Sequence, residues 1–158
     1  MFQDGPIDGV IFKKLRHFHD ARGWLCELFR EDELAAEFVP VMAYISMTLP
    51  GVARGPHEHR DQADYFCFIG PSNFRLLTWD NRPDSATFRH RHAVVVGAEH
   101  PTAVIVPAGV VHAYKNVGSE PGIVFNAPNR LYSGRGRAEP VDEIRHEHET
   151  TTIFKMEW

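Results

Sequence analysis

An all-β sandwich or barrel is the fold that this sequence predicts, on three observations. Long helical periodicity is almost absent. Short runs rich in β-branched and aromatic residues recur along the whole chain. Gly, Pro, Asn and Asp break those runs at short intervals.

Taken in order, residues 10–15 and 24–29 look like an early strand pair, with Asp20-Ala21-Arg22-Gly23 as the turn. Residues 31–37 are the best candidate for a short helix, because acidic side chains gather where the helix dipole favours them. Residues 42–49 alternate and stop at Pro50-Gly51. Residues 65–69 form a continuous apolar run closed by Gly70-Pro71. Residues 74–79 run into the turn-like segment Asp80-Asn81-Arg82-Pro83-Asp84-Ser85. Four further strands are predicted over 93–96, 103–106, 110–114 and 122–125. From Tyr132 the chain changes character, with Gly134, Gly136 and Pro140 and then a charged stretch over 142–149. Residues 132–158 are expected to be a C-terminal extension, packed on the barrel or a neighbouring subunit, or solvated.

The length of 158 residues suggests one domain over 1–158, large enough to bury a core without staples. A hydrophobic content of 43% with 24% charged residues reads as ordinary soluble globular. The formal net charge of −4 argues against nucleic acid as a partner, since phosphate binding wants a basic surface. It leaves room for a local basic pocket. Cys26 and Cys67 lack metal or redox spacing and are expected to be free, buried thiols. No apolar run is long enough to span a bilayer, and the N-terminus lacks the regions of a signal peptide. The expectation is a cytoplasmic protein with no membrane partner.

Chemistry is most legible in the histidines. Eight of the ten fall in His-x-His pairs: His17/His19, His57/His59, His90/His92 and His146/His148. On a strand, such a pair presents both imidazoles on one face. Three of the pairs sit in polar or loop-like surroundings, where exposure is the default. His57/His59 differs, because Gly55-Pro56 precedes it and Asp64 opens an apolar strand after it. Downstream stands Pro107-x-Gly109-x-x-His112-x-x-x-Asn116.

These two segments resemble the two-part pattern of the cupin superfamily, with Asp64 where the pattern has Glu. The resemblance implies a double-stranded β-helix, a jelly-roll barrel with its site in the mouth. One reading of that site is a metal centre of His57, His59, Asp64 and His112, a set that suits Fe(II), Mn(II), Ni(II) or Zn(II).

A second resemblance covers most of the chain. Asp20-x-Arg22-Gly23-Trp24-x-x-Glu27, Arg54-Gly55-Pro56-His57, Asp80-x-Arg82-x-x-Ser85-x-Thr87-Phe88 and the segment from Val106 to Tyr114 are similar, in order, to motifs of the dTDP-4-dehydrorhamnose 3,5-epimerase family. Tyr132 falls where that family has its active-site tyrosine. The resemblance implies an isomerase that needs no cofactor and acts on a nucleotide-linked 4-keto-6-deoxy sugar. His57 would remove a proton beside the keto group, and Tyr132 would deliver one to the opposite face. Arg22 and Arg54 would bind the diphosphate, Glu27 would help to fix the nucleotide, and His112 would line the sugar pocket. An imidazole suits a general base near neutrality, and arginine forks match phosphate oxygens. The resemblance also implies a homodimer, and the early strand pair could add to a partner's sheet.

The chain departs from the family at three points. Asp64 stands where the family has a lysine near the keto oxygen, and His59 where it has Gln. The aspartate that partners the family's base has no clear match, and Asp142 is its candidate only by elimination. His59 and Asp64 are also the residues that complete the metal pattern. Three readings follow: a metal-free epimerase, a metal-dependent cupin enzyme, and a sugar-binding barrel without catalysis.

Overall fold

The computed structural model describes residues 1–157, so Trp158 of the expected tail lies outside the described residues. Thirteen strands are seen among them: β1 (Gln3–Asp4), β2 (Ile11–Lys14), β3 (His17–Asp20), β4 (Gly23–Cys26), β5 (Tyr44–Thr48), β6 (Ala53–His59), β7 (Asp64–Phe68), β8 (Asn73–Asp80), β9 (His90–Gly97), β10 (Thr102–Val106), β11 (Val110–Asn116), β12 (Gly122–Asn126) and β13 (Glu143–Arg145). One sheet runs β1-β9-β8-β11-β6-β13 and the other β2-β10-β7-β12-β5. The two form a cupin jelly roll, and the β3–β4 hairpin stands apart as a two-stranded sheet.

Alternation along the strands builds three apolar layers. Phe66, Phe68, Phe74, Leu76, Val104, Val110 and Val124 meet between the two sheets. Tyr65, Cys67, Ala103 and Ile105 point the other way, and Leu28, Phe29, Leu34 and Phe38 cover them. On the far side of the first sheet, Leu77, Trp79, Val111 and Ala113 are covered by Phe154. Because chain segments cap both outer faces, β7 is buried on both of its own faces. That explains why it reads as a continuous apolar run.

Several expectations are corrected. The predicted helix is two single 3-10 turns, Glu31–Glu33 and Ala36–Phe38, with Leu34 extended between them. Packing of Leu34 and Phe38 onto the sheet outweighs the helical pattern. The turn at 20–23 is where it was expected, but β4 pairs with β3, while β2 pairs with β10. Strand β6 was given no bounds among the predicted strands, although its histidine pair lies in a strand-like region. The tail lies along the first sheet, with β13 paired to β6 and Phe154 buried. Cys67 is buried and Cys26 only partly so, both as free thiols.

Asp80 is fully buried and accepts hydrogen bonds from Arg82, Ser85 and Thr87. Burial would raise its carboxyl, but these partners hold it far below the usual carboxylate range. The Asp-x-Arg-x-x-Ser-x-Thr motif is thus a structural knot. It lies under Gly109, where a Cβ would meet the Arg82 side chain at 2.5 Å.

Candidate active site

Strand β6 sets the site. Opposite β11, His57 pairs with His112 and Arg54 with Tyr114, so three steps on β6 face two on β11. The extra residue is a bulge at Gly55-Pro56, and a bulge re-aims the side chains around it. Without it, residues 54 and 57 would face opposite ways. With it, Arg54, His57 and His59 all line one cleft of about 1230 Å³ between the sheets. Glu58 points to the rear.

Gly55 has a φ of 88°, and a Cβ there would sit 2.6 Å from the His112 carbonyl oxygen. Only glycine fits. Arg54 is braced by Nε and Nη2, which donate to Thr48 Oγ1 at 2.9 Å and to the Met47 carbonyl at 2.8 Å.

The floor of the cleft is a polar cluster around Asp64, which is 2% exposed. Asp64 Oδ2 lies 3.1 Å from His59 Nε2 and 3.4 Å from His112 Nε2. Asp64 Oδ1 accepts from the side-chain amides of Gln62 and Asn126, both at 2.9 Å. Burying an unpaired carboxylate costs several kcal/mol, which these four groups offset. Burial alone would raise the Asp64 carboxyl, but the bond and charge of His59 and the nearby His112 bring it down to about 2. Burial alone would lower His59, yet the bond to Asp64 raises it. His112 has only Asp64 to counter its burial, with His59 and His57 opposing it, and is pushed down to about 4.

His57 stands apart from that cluster. Its Nε2 lies 2.6 Å from Glu147 Oε1 and its Nδ1 3.4 Å from Glu143 Oε1. Both carboxylates come from the tail, Glu143 on β13 and Glu147 on the 3-10 turn His146–His148. The candidate partner Asp142 is therefore corrected. Its carboxylate accepts the backbone N–H groups of Arg60, Asp61 and Gln62 and lies 3.8 Å from His59.

Of the expected site residues, the fold brings Arg54, His57, His59, Asp64, His112 and Tyr132 to one cleft. Tyr132 is at its rim, 53% exposed. Arg22 and Glu27 are not among its lining residues. Arg22 sits at the tip of the β3–β4 hairpin, its side chain 90% exposed and paired with Asp20 at 2.5 Å. The expected four-ligand metal set is likewise corrected. The ligand atoms of His59, Asp64 and His112 lie within 4.8 Å of one another, without His57. Glu143, Glu147 and Gln62 were missed. The alternation of 143, 145 and 147 in the tail was the one signal that could have found the first two.

A family model described as dTDP-4-dehydrorhamnose 3,5-epimerase matches residues 4–138. The chain belongs to that family. It is a family of sugar-biosynthesis epimerases, which are isomerases, and it places the chain in that enzyme class. Among the family's relatives, the probable low-salt glycan biosynthesis epimerase of Haloferax volcanii is 37% identical over 128 residues, 80% of this chain and 81% of that protein. The spore coat polysaccharide biosynthesis protein SpsL of Bacillus subtilis is 34% identical over 73% of this chain and 75% of its own length. In fold, the dTDP sugar isomerase of Desulfovibrio desulfuricans matches with a TM-score of 0.76 at 19% identity, over 88% of this chain and 84% of that one. ChmJ, a 3'-monoepimerase from Streptomyces bikiniensis in complex with dTDP-quinovose, matches with a TM-score of 0.73 at 24% identity, over 92% and 72%.

No helix among the described residues is long and apolar enough to cross a membrane.

The buried His112 gives stability a pH dependence with a definite sign. An unfolded histidine titrates near 6.5, the folded one at about 4. Between those values the unfolded chain binds a proton that the folded chain refuses, so stability falls as pH drops through that window. The contribution is up to ~3 kcal/mol. Urea unfolding at pH 6.5 and pH 4.5 is expected to show a smaller acid loss for His112→Asn than for the wild type. Equal losses would refute this assignment.

Proposed function

We propose that this protein epimerises a dTDP-4-keto-6-deoxy sugar by general acid–base proton transfer, without a metal. The observation that carries this reading is His57, which faces the cleft beside Arg54 while Glu147 holds its Nε2 at 2.6 Å. A carboxylate fixes the ring's orientation and stabilises the imidazolium formed when it takes a proton. His57 is the base that takes the proton from the carbon next to the ketone. Tyr132, at the rim, is the acid that returns one to the opposite face. The cleft has room for a nucleotide sugar, and Arg54 supplies a fork for its diphosphate. Where the family's lysine would stand, Asp64 is committed to His59 and His112. The family membership and the sugar-nucleotide complexes of related folds support the substrate class.

Deuterium wash-in at C3 or C5, followed by NMR, tests the chemistry. The wild type is expected to exchange, and His57→Asn to lose roughly 10²–10⁴-fold of the rate. No exchange by the wild type with any of a panel of dTDP-4-keto-6-deoxy sugars would reject the reading.

We further infer a homodimer in which Arg22 and Glu27 serve the partner's cleft. The β3–β4 hairpin projects with Phe18, Trp24 and Leu25 exposed. Strand β5 is an unpaired edge that leaves Ile45 and Met47 69% and 60% exposed. An apolar open edge invites pairing with another chain. A second copy's hairpin would cover it and carry Arg22 toward the cleft mouth. Mixing Arg22→Ala with His57→Asn chains is expected to restore activity that neither has alone, because one site in each mixed dimer is intact. Mixtures no more active than their parents would count against shared sites.

A second reading rests on the convergence of His59, Asp64 and His112. Two imidazoles and a carboxylate suit Fe(II), Mn(II), Ni(II) or Zn(II), and such an ion would polarise the keto oxygen. The same groups already pair with one another across 3.1 and 3.4 Å, and Gln62 and Asn126 bond to Asp64, which favours the first reading. Elemental analysis of untagged protein decides between them. Stoichiometric metal that resists chelation would support the second.

A further inference from the structure

On the rear of β6, opposite His57 and His59, a second polar pair is buried. His146 Nε2 lies 2.8 Å from Glu58 Oε2, and both residues are under 10% exposed. Asn81 Nδ2 donates to the same Glu58 oxygen at 3.0 Å. His146 Nδ1 lies 3.1 Å from Glu149 Oε1, and its ring centroid is 4.6 Å from that of Phe154. Phe154 in turn packs on Trp79 in the rear apolar layer. None of these groups lines the cleft.

The pair has adjacent neighbours in both segments. Glu58 follows His57 on β6, and Glu147 follows His146 in the tail. Strand β13 pairs with β6 in the register Glu143↔His59, Ile144↔Glu58, Arg145↔His57 and then ends. Past that point no ladder bond among the described residues fixes the tail against β6. What places the next turn is the rear contact of His146. We propose that His146, acting through Glu58, is the positioning residue that holds Glu147 on the His57 imidazole. This rests on the reading of His57 as the base. A buried, hydrogen-bonded pair is a poor source of net stability against an apolar filling of the same shape, but it fixes geometry. Here it fixes the tail at the one residue next to the carboxylate that matters. The link crosses the strand from back to front, so His146 never needs to touch substrate.

The test compares His146→Phe, which keeps a ring against Phe154 but has no donor, with His146→Gln, which keeps a donor for Glu58. Two readouts are taken: the ¹⁵N shifts of the His57 ring and the steady-state constants for wash-in. In folded His146→Phe, the His57 ring signals are expected to move to those of Glu147→Gln. Its kcat is expected to fall roughly 10- to 100-fold while KM stays within about 2-fold, as a misplaced catalytic group gives. His146→Gln is expected to recover most of both. Wild-type His57 signals in folded His146→Phe would overturn the proposal, whatever the activity. If that variant does not fold, Glu58→Ala breaks the same link from the other side and is judged on the same signals. If the wild type exchanges no deuterium, the proposed function fails. The ring signals then decide the positioning role alone.

Discussion

A methyl group on Gly55 would collide with the carbonyl oxygen of His112, and everything around the cleft follows from that close approach. The strands can come so near only because β6 carries an extra residue there and turns through a left-handed backbone angle. The bulge puts an arginine and a histidine three residues apart on one face. It also sends Glu58 to the rear, where the tail meets it. One local distortion thus sets the direction of the charged groups on both sides of the sheet.

The cleft divides into two electrostatic halves. Asp64 binds two imidazoles and two amides at the floor and is saturated by them. His57 turns away from that floor to carboxylates lent by the tail. Neighbouring histidines on one strand face therefore have different partners. One is built into the wall, and the other meets Glu143 and Glu147 of the tail. The departures at positions 59 and 64 fit together, because His59 and Asp64 are each other's partners.

How far the sequence revealed this depends on where each residue's partner lies. The buried strands were legible from their own composition, since Tyr65 to Phe68 must be covered on both faces whatever covers them. His57, His59, Asp64 and His112 were legible because their turns and spacings are local. Strand β6 was not, because Ala53 to His59 contains Gly, Pro and four charged or imidazole side chains. Those residues leave its bounds illegible, and it is a clear strand only when β11 and β13 pair with it. The partners of Glu147 and His146 were invisible for a similar reason. The charged stretch 142–149 looks solvated until it meets Glu58 and His57, and no local signal encodes a contact across some ninety residues. The early hairpin went astray in one detail, because His17-Phe18-His19 looks too polar for a strand, although its turn was plain.

The same late contact has a consequence during synthesis. The β6 segment is made long before the β13 segment that completes its outer edge, and for that interval the edge is open. An open edge is where a nascent chain pairs wrongly with its neighbours. Strand β6 carries proline and, at Arg54, Glu58 and the adjoining Arg60, charges of both signs. Those features discourage a foreign strand from docking. The residues that make β6 look unlike a strand therefore also guard it on the ribosome, until its own tail arrives.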